Sequence, residues 1–241
     1  MNHQRSGYCV SALLFMVGAF ALVPLEAPQA SAQNAQLPPR LAQIQQAIAA
    51  NRQSLGRYTW LERQTVLVKG EVRKEEVYKV RLGADGKPQR TLLSTGPPPS
   101  HPIGPIRRHI VEKMTAEYEQ YAQQIGALAQ DYAKPDPQRL QRADQLGNIS
   151  LEQVGPPSEV RVTIMNYIKP QDYVALVFNR TLRAVLSLDI SSYLSDPSDA
   201  VRISAQFGKL PDGTTHVVGM IVNGVRKQLA VQLVNSDYEK R

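Results

Sequence analysis

Few residues of this chain have the types and spacing needed for acid–base or metal chemistry. Of its four histidines, three follow the N-terminal segment: His101, His109 and His216. His101 lies in a proline-rich stretch and His109 near a predicted helix start, and neither has a second histidine at metal-ligand spacing. No hydrolase nucleophile elbow, zinc-protease motif, phosphate-binding glycine loop or dinucleotide fingerprint occurs. The sequence therefore predicts a non-enzymatic protein with no cofactor and no metal.

The carboxylates that stand in a recognisable pattern have a structural explanation. Asp172, Asp196, Asp199 and Asp212 lie in segments typical of turns, where aspartate caps backbone N–H groups. Catalysis would be indicated only if the fold brought two buried carboxylates to face each other in a cleft. His216 lies on an apolar stretch of a predicted strand, where a core or rim role and a ligand contact are the two alternatives.

The first 32 residues are predicted to be a signal peptide. An uncharged apolar run from Val10 to Val23 follows a short polar start, and Ala30-Ser31-Ala32 forms a small-x-small cleavage site. The run is shorter than the ~20 residues that cross a bilayer as a helix. The single cysteine, Cys9, precedes the run, so a lipid anchor is not expected. We therefore expect a periplasmic or secreted bacterial protein in which residues 33–241 form one domain.

The chain is basic, with a net charge of +7. An exported basic protein can meet a membrane surface or an acidic envelope protein. The densest basic spot, Arg107-Arg108-His109, is not interleaved with aromatic residues as single-strand binders are, so nucleic acid is not an expected partner.

Helical periodicity dominates two segments of the first half of the chain. An amphipathic helix is predicted to end at Gly56, and a second to run over residues 106–133, between a proline-rich loop and Pro135. The second carries one continuous apolar stripe. The stripe consists of Ile110, Met114, Tyr118, Tyr121, Ile125, Leu128 and Tyr132.

From Leu151 onward the apolar pattern has the period of a strand. Asn223-Gly224 is predicted to form the turn of the last hairpin, between strands over Thr215–Val222 and Val225–Val234, which places His216 opposite Val231. With three strands before the long helix and about six after it, we predict an α+β fold. Its single curved antiparallel sheet would have about nine strands, with helices packed on the concave face.

The stretch from Tyr58 to Lys87 predicts a long hairpin. With Gly70 at the centre of a three-residue loop, Trp60 faces Val80 and Val68 faces Val72, which gathers the apolar residues on one face. The other face is charged and includes Arg63, Arg73 and Arg81. Four polar residues interrupt the apolar face and are expected to reach water, either on strands that overhang the core or beside a wet cavity. They are Glu62, Gln64, Lys74 and Glu76, called the polar band below.

The order of elements resembles the LolA-like periplasmic lipoprotein carriers. The stretch "YTWLERQTVLVKGEVRKEEVYKVRLGADGKPQ" is also similar to a pattern in uncharacterised exported bacterial proteins. The resemblance implies a half-barrel whose curved sheet encloses an apolar cavity, and a hydrophobic ligand such as a lipid or lipoprotein acyl chain. It supplies no site residue.

From the residues themselves, aromatic side chains on the helix stripe and the hairpin face could line such a cavity, with plain core as the alternative. The alternative function is an envelope interaction or sensor module that binds an acidic partner or membrane surface through the charged face. The candidate ligand-binding residues are Tyr58, Trp60, Tyr78, Tyr118, Tyr121 and His216.

Overall fold

The computed structural model describes residue 46 and residues 50–84, 86–96, 105–133 and 136–241, with backbone only over 105–115. The predicted signal peptide, most of the first predicted helix and most of the proline-rich loop lie outside these residues. Among the described residues, no helix is long and apolar enough to cross a membrane.

One antiparallel sheet of ten strands forms the body of the protein, in the order β3-β2-β1-β10-β9-β8-β7-β6-β5-β4. The sheet is open and curved, which confirms the predicted α+β class. Helical residues 50–55 precede it. The strands are β1 (Tyr58–Val68), β2 (Glu71–Leu82), β3 (Pro88–Thr95), β4 (Ile149–Gln153), β5 (Glu159–Met165), β6 (Tyr173–Asn179), β7 (Ala184–Tyr193), β8 (Ala200–Lys209), β9 (Thr215–Gly224) and β10 (Leu229–Lys240). The helices are α1 (Pro105–Tyr132) and α2 (Pro137–Gln145).

The main core lies between α1 and the sheet. The described part of the helix stripe, including Tyr121, Ile125 and Leu128, is buried in one cluster with Ile203 and Val222 of the strands. Each such aliphatic side chain contributes about 1.5–3 kcal/mol on full burial. The tenth strand, β4, was not predicted from the sequence. It is a short edge strand whose side chains are largely exposed, so it lacks the alternating apolar pattern of a half-buried strand.

The β1–β2 hairpin has the predicted register over most of its length, with Trp60 opposite Val80. Its tip differs from the prediction. The loop has two residues, Lys69 and Gly70, both with positive φ, and Val68 pairs with Glu71. Such a turn matches the right-handed twist of the strands. A bulge at Arg73 then restores the register that keeps the apolar residues on the inner face.

The predicted turn at Asn223-Gly224 is wrong, because both residues belong to β9 and the chain turns over residues 225–228. Gly224 instead allows α1 to pack closely against β9. A Cβ atom there would lie 2.4 Å from Ile125 Cδ1 and 2.5 Å from Tyr121 Cε1. Val231 consequently pairs with Val222, and the predicted placement of His216 opposite Val231 is wrong as well.

Replacing Gly224 with alanine is expected to destabilise the fold by about 1–3 kcal/mol, since the methyl group would overpack the contact between α1 and β9. Tyr121 cannot move aside freely because its hydroxyl donates a hydrogen bond to Asp199. The matched control is Gly219→Ala on the same strand, where the nearest atom would lie at 3.4 Å. Urea unfolding should give a lower midpoint for Gly224→Ala only, and equal midpoints would contradict this packing role.

Candidate functional site

The polar band lies on the inner face of β1 and β2 and is largely buried. Glu62 is 0% exposed, Gln64 1% and Glu76 7%. The expectation that these residues overhang the core in open water is therefore wrong for these three, and only Lys74 keeps a third of its side chain exposed. Buried polar groups of this kind need partners to offset their lost hydration.

Glu62 obtains its partner from β3. Arg90 Nε donates to Glu62 Oε1 over 2.8 Å, and Arg90 Nη2 to Oε2 over 3.3 Å. Arg90 is paired with Val80, which is paired with Trp60, so these three residues lie side by side across β3, β2 and β1. Glu62 lies two residues beyond Trp60 on β1, and the Arg90 side chain therefore extends diagonally across β2 to its carboxylate. A two-pronged guanidinium–carboxylate pair is the arrangement best suited to a buried charge.

Glu76 is held by a separate cation. Lys74 Nζ lies 2.9 Å from Glu76 Oε1, and the Tyr78 hydroxyl donates to Glu76 Oε2 over 2.8 Å. Burial and then this hydrogen bond raise the pKa of Tyr78. Each buried carboxylate of the band is thus bound to its own cation, and neither is presented as a free acid or base. Within the described residues, no group of three or more metal-ligating side chains could hold an ion.

Three buried side chains of the same face leave polar atoms without a hydrogen-bond partner. They are Trp60 Nε1, both amide atoms of Gln64, and Asn235 Oδ1. Asn235 lies directly opposite Glu62 on β10, and its Nδ2 donates to the Val217 carbonyl over 3.1 Å. Unpartnered buried groups are rare in native proteins, and each requires an explanation such as a bound water or ion, a catalytic role or local strain.

A small apolar cluster adjoins the polar band. It is called the Trp60 cluster and is separate from the main core. The Trp60 ring stacks on Tyr238 with ring centroids 5.5 Å apart, and the His216 ring is tilted against Tyr238 with centroids 4.4 Å apart. Burial raises the pKa of Tyr238, and the charge of Glu62 raises it further. The cluster consists of Leu55, Trp60, Val80 and Leu82, with Tyr78 and Tyr238 packed against it.

His216 occupies a half-buried position at the rim of this site. Its Nδ1 lies 3.2 Å from the Val217 carbonyl oxygen. Burial lowers the pKa of His216, which favours the neutral ring. The contact with the Tyr238 ring and this backbone contact together place the imidazole as a packing group of the rim.

The six candidate residues fall into separate places in the fold. Trp60, Tyr78 and His216 gather around Tyr238 and the polar band, whereas Tyr118 and Tyr121 belong to the main core under α1. Their role in binding a ligand stays a prediction.

Two of the candidate tyrosines donate hydrogen bonds to aspartates. Tyr121 donates to Asp199 Oδ1 over 2.6 Å, and Tyr58 donates to Asp212 Oδ2 over 2.6 Å. That bond to Asp212 raises the pKa of Tyr58 and holds the pKa of the carboxyl below its usual range.

Three residues of the site were absent from the sequence-based candidates. Arg90 lies at an inward position of the predicted third strand, and alternation could have placed it there. Asn235 and Tyr238 lie beyond residue 234, where the last strand was predicted to end, yet β10 continues to Lys240. Residues 235–240 are mostly polar, so the sequence pattern does not predict that the strand continues through them. Pairing with β1 stabilises this extension.

The charged outer face of the hairpin is solvated, as predicted. Arg63, Arg73 and Arg81 are exposed. Arg73 pairs with Glu71 at 2.6 Å, and Arg81 donates to Gln89 over 2.9 Å. Arg73 is thus engaged within its own strand, and Arg81 is engaged with the neighbouring strand β3. Binding of an acidic partner or membrane surface there stays a prediction.

The fold and the site together define an α+β half-barrel with a partly polar inner face.

Comparison with known proteins gives similarity of structure only. No family model matches the chain, and no curated protein matches it. A DUF1329 family protein from Desulfovibrio piger ATCC 29098 is similar in structure at 10% identity, covering 84% of this chain and 93% of that one, with a TM-score of 0.40. A LolA superfamily protein from Nitrosomonas europaea is similar at 12% identity, covering 82% and 93%, with a TM-score of 0.37. The LolA-like group that the order of elements resembles thus recurs among the similar solved structures, and both likenesses concern the fold alone.

Removing the cation from the buried ion pair should be far more damaging than removing one at the surface. Arg90→Met is expected to lower the free energy of unfolding by about 3–5 kcal/mol, because it leaves the Glu62 carboxylate buried and unpaired. Lys79→Met is the matched control, since Lys79 and Glu239 form an exposed pair at 3.3 Å worth about 0–1 kcal/mol. The double variant Glu62→Gln/Arg90→Met should recover part of the loss in chemical denaturation. A surface-sized effect for Arg90→Met would contradict the burial of this pair.

His216 should make stability fall as the solution is acidified. The unfolded chain binds the proton near the ordinary pKa of 6.5, whereas the folded chain binds it only at lower pH. The contribution of His216 to the free energy of unfolding is therefore fully present above pH 6.5 and is lost as the pH falls below that value. His216→Phe keeps the ring contact with Tyr238 and should lose less stability than the wild type between about pH 7.5 and about pH 5.5. Parallel pH profiles of the two proteins in urea unfolding would refute this assignment.

Proposed function

We propose that this protein is an exported, non-catalytic binding or carrier protein for an amphipathic molecule such as a lipid or an acyl chain. The ligand would lie on the inner face of the sheet, with its apolar part against the Trp60 cluster and its polar part at the polar band. The observation that carries the proposal is the set of unpartnered polar atoms of Trp60, Gln64 and Asn235, buried beside an apolar cluster.

The energetic argument starts from the four unpartnered atoms. Each buried donor or acceptor without a partner costs about 1–3 kcal/mol. Four such atoms on two neighbouring strands represent a large fraction of the ~5–15 kcal/mol by which a domain is stable. A molecule that supplies hydrogen bonds there would recover this free energy, which makes the face suited to an occupant.

The neighbouring surface explains why the occupant would be amphipathic. Trp60 belongs to both regions, because its ring stacks on Tyr238 in the apolar cluster while its Nε1 lacks a partner. Leu82 and Val80 extend the apolar side, and Gln64 and Asn235 lie on the polar side. A ligand with an apolar chain and a hydrogen-bonding end matches both parts.

The same geometry supports binding without catalysis. The two buried carboxylates of the band, Glu62 and Glu76, are each neutralised by a cation, and His216 packs on Tyr238 at the rim. The predicted signal peptide and its cleavage after Ala32 support a periplasmic or secreted location, where a carrier would meet lipids. The candidate residues Tyr118 and Tyr121 would act as core residues that hold α1 on the sheet.

Purification of the exported protein without detergent tests the function. Native mass spectrometry should show a bound species that organic solvent extracts as a lipid or acyl compound. Trp60→Leu, which truncates the shared aromatic residue, should lower the bound fraction. Arg63→Gln, on the outer face of the same strand, should leave it unchanged. Protein of bare mass only, together with no response of the Trp60 fluorescence to any added amphiphile, would overturn the proposal.

A further inference from the structure

We propose that the polar end of the ligand is an uncharged group that both donates and accepts hydrogen bonds, such as the hydroxyl-bearing ester of a glycerol or an acyl amide, and that Gln64 is its principal contact. This inference rests on the proposed function and adds the chemical class of the ligand head. It excludes free fatty acids, phosphate-headed lipids and alkyl cations as preferred ligands.

The charges of the inner face cancel. Glu62 is paired with Arg90 at 2.8 Å, and Glu76 with Lys74 at 2.9 Å. Around the band the described residues thus contribute two carboxylates and two cations, each already engaged. A carboxylate or ammonium entering this face would be taken from water without a counter-ion of its own, which is strongly unfavourable for a buried charge.

The unpartnered atoms are all neutral and are balanced between donors and acceptors. The donors are the indole N–H of Trp60 and the amide N–H groups of Gln64, and the acceptors are Gln64 Oε1 and Asn235 Oδ1. A carboxylate or phosphodiester would satisfy donors only, and an ammonium acceptors only. A hydroxyl beside an ester, or an amide, satisfies both kinds.

The register places Gln64 and Asn235 close enough for one small head group to contact both. Asn235 lies opposite Glu62, and Gln64 follows Glu62 by two residues on the same face. Such diagonal neighbours across antiparallel strands are about 7–8 Å apart. A head of a few heavy atoms bridges that separation, and the stacked rings of Trp60 and Tyr238 lie next to it for the apolar chain.

Trp60 is the only tryptophan of the chain, so its fluorescence reports directly on this site. The purified exported protein is titrated with 1-lauroylglycerol, laurate and dodecylammonium, each below its micellar concentration. We expect a change of emission on binding, and an affinity for 1-lauroylglycerol at least about tenfold higher than for either charged probe.

Two variants of Gln64 separate a binding role from a structural one. Gln64→Met keeps the length of the side chain but removes its donors and acceptor, and should weaken 1-lauroylglycerol binding about tenfold. It should leave the ligand-free protein equally or more stable to heat, because no protein hydrogen bond is lost. Gln64→Glu should shift the preference toward dodecylammonium. The matched control, Gln232→Met, lies on the other face beside Thr65 and should change neither property.

The outcomes distinguish this inference from the proposed function. If no probe of any charge binds and the purified protein has its bare mass only, both proposals fail. If the purified protein carries a bound species but binds none of the probes, the neutral-head inference alone is overturned. If the probes bind with equal affinity, or a charged probe binds best, the binding function stands and the neutral-head inference is overturned. The inference is equally overturned if Gln64→Met destabilises the ligand-free protein and leaves the affinity for 1-lauroylglycerol unchanged.

Discussion

The antiparallel pairing of β1 with β10 is the interaction on which the rest of the structure depends. It runs from Tyr58 opposite Lys240 to Val68 opposite Leu229 and joins the first three strands to the last seven. A three-stranded meander with charged residues on both faces would be marginal by itself in water. Added to the edge of β10, it extends one sheet, and its inner face becomes part of the protein interior.

That pairing also creates the chemistry of the inner face. It brings Tyr238 to Trp60 and Asn235 to Glu62, from positions far apart in the chain. Burial of Glu62 then requires a cation, which Arg90 supplies from β3. The result is an interior that is neutral in charge yet keeps hydrogen-bonding atoms unused. This combination distinguishes the inner face from a purely apolar one and leads to the proposed preference for an uncharged polar head.

Local patterns predicted the parts of the fold that depend on local rules. The stripe on α1 predicted its buried face because apolar residues at helical spacing must cover a sheet. Burial of alternating residues predicted Trp60 opposite Val80. Where local rules compete with packing, the predictions were wrong. Asn223-Gly224 matches a turn, yet Gly224 lies in β9, where the close approach of Ile125 leaves no room for a Cβ atom.

The sequence by itself determined the net charge and the absence of familiar catalytic motifs, and it predicted the class of fold and a signal peptide, since these follow from composition and from residues close together in the chain. Only the tertiary structure decided that Glu62, Gln64 and Glu76 are buried, and that Arg90 and Asn235 belong with them. The physical reason is that hydration and partnering of a polar group depend on strands distant in sequence. A pattern on one hairpin shows which residues share a face, and the neighbouring strands decide whether that face meets water.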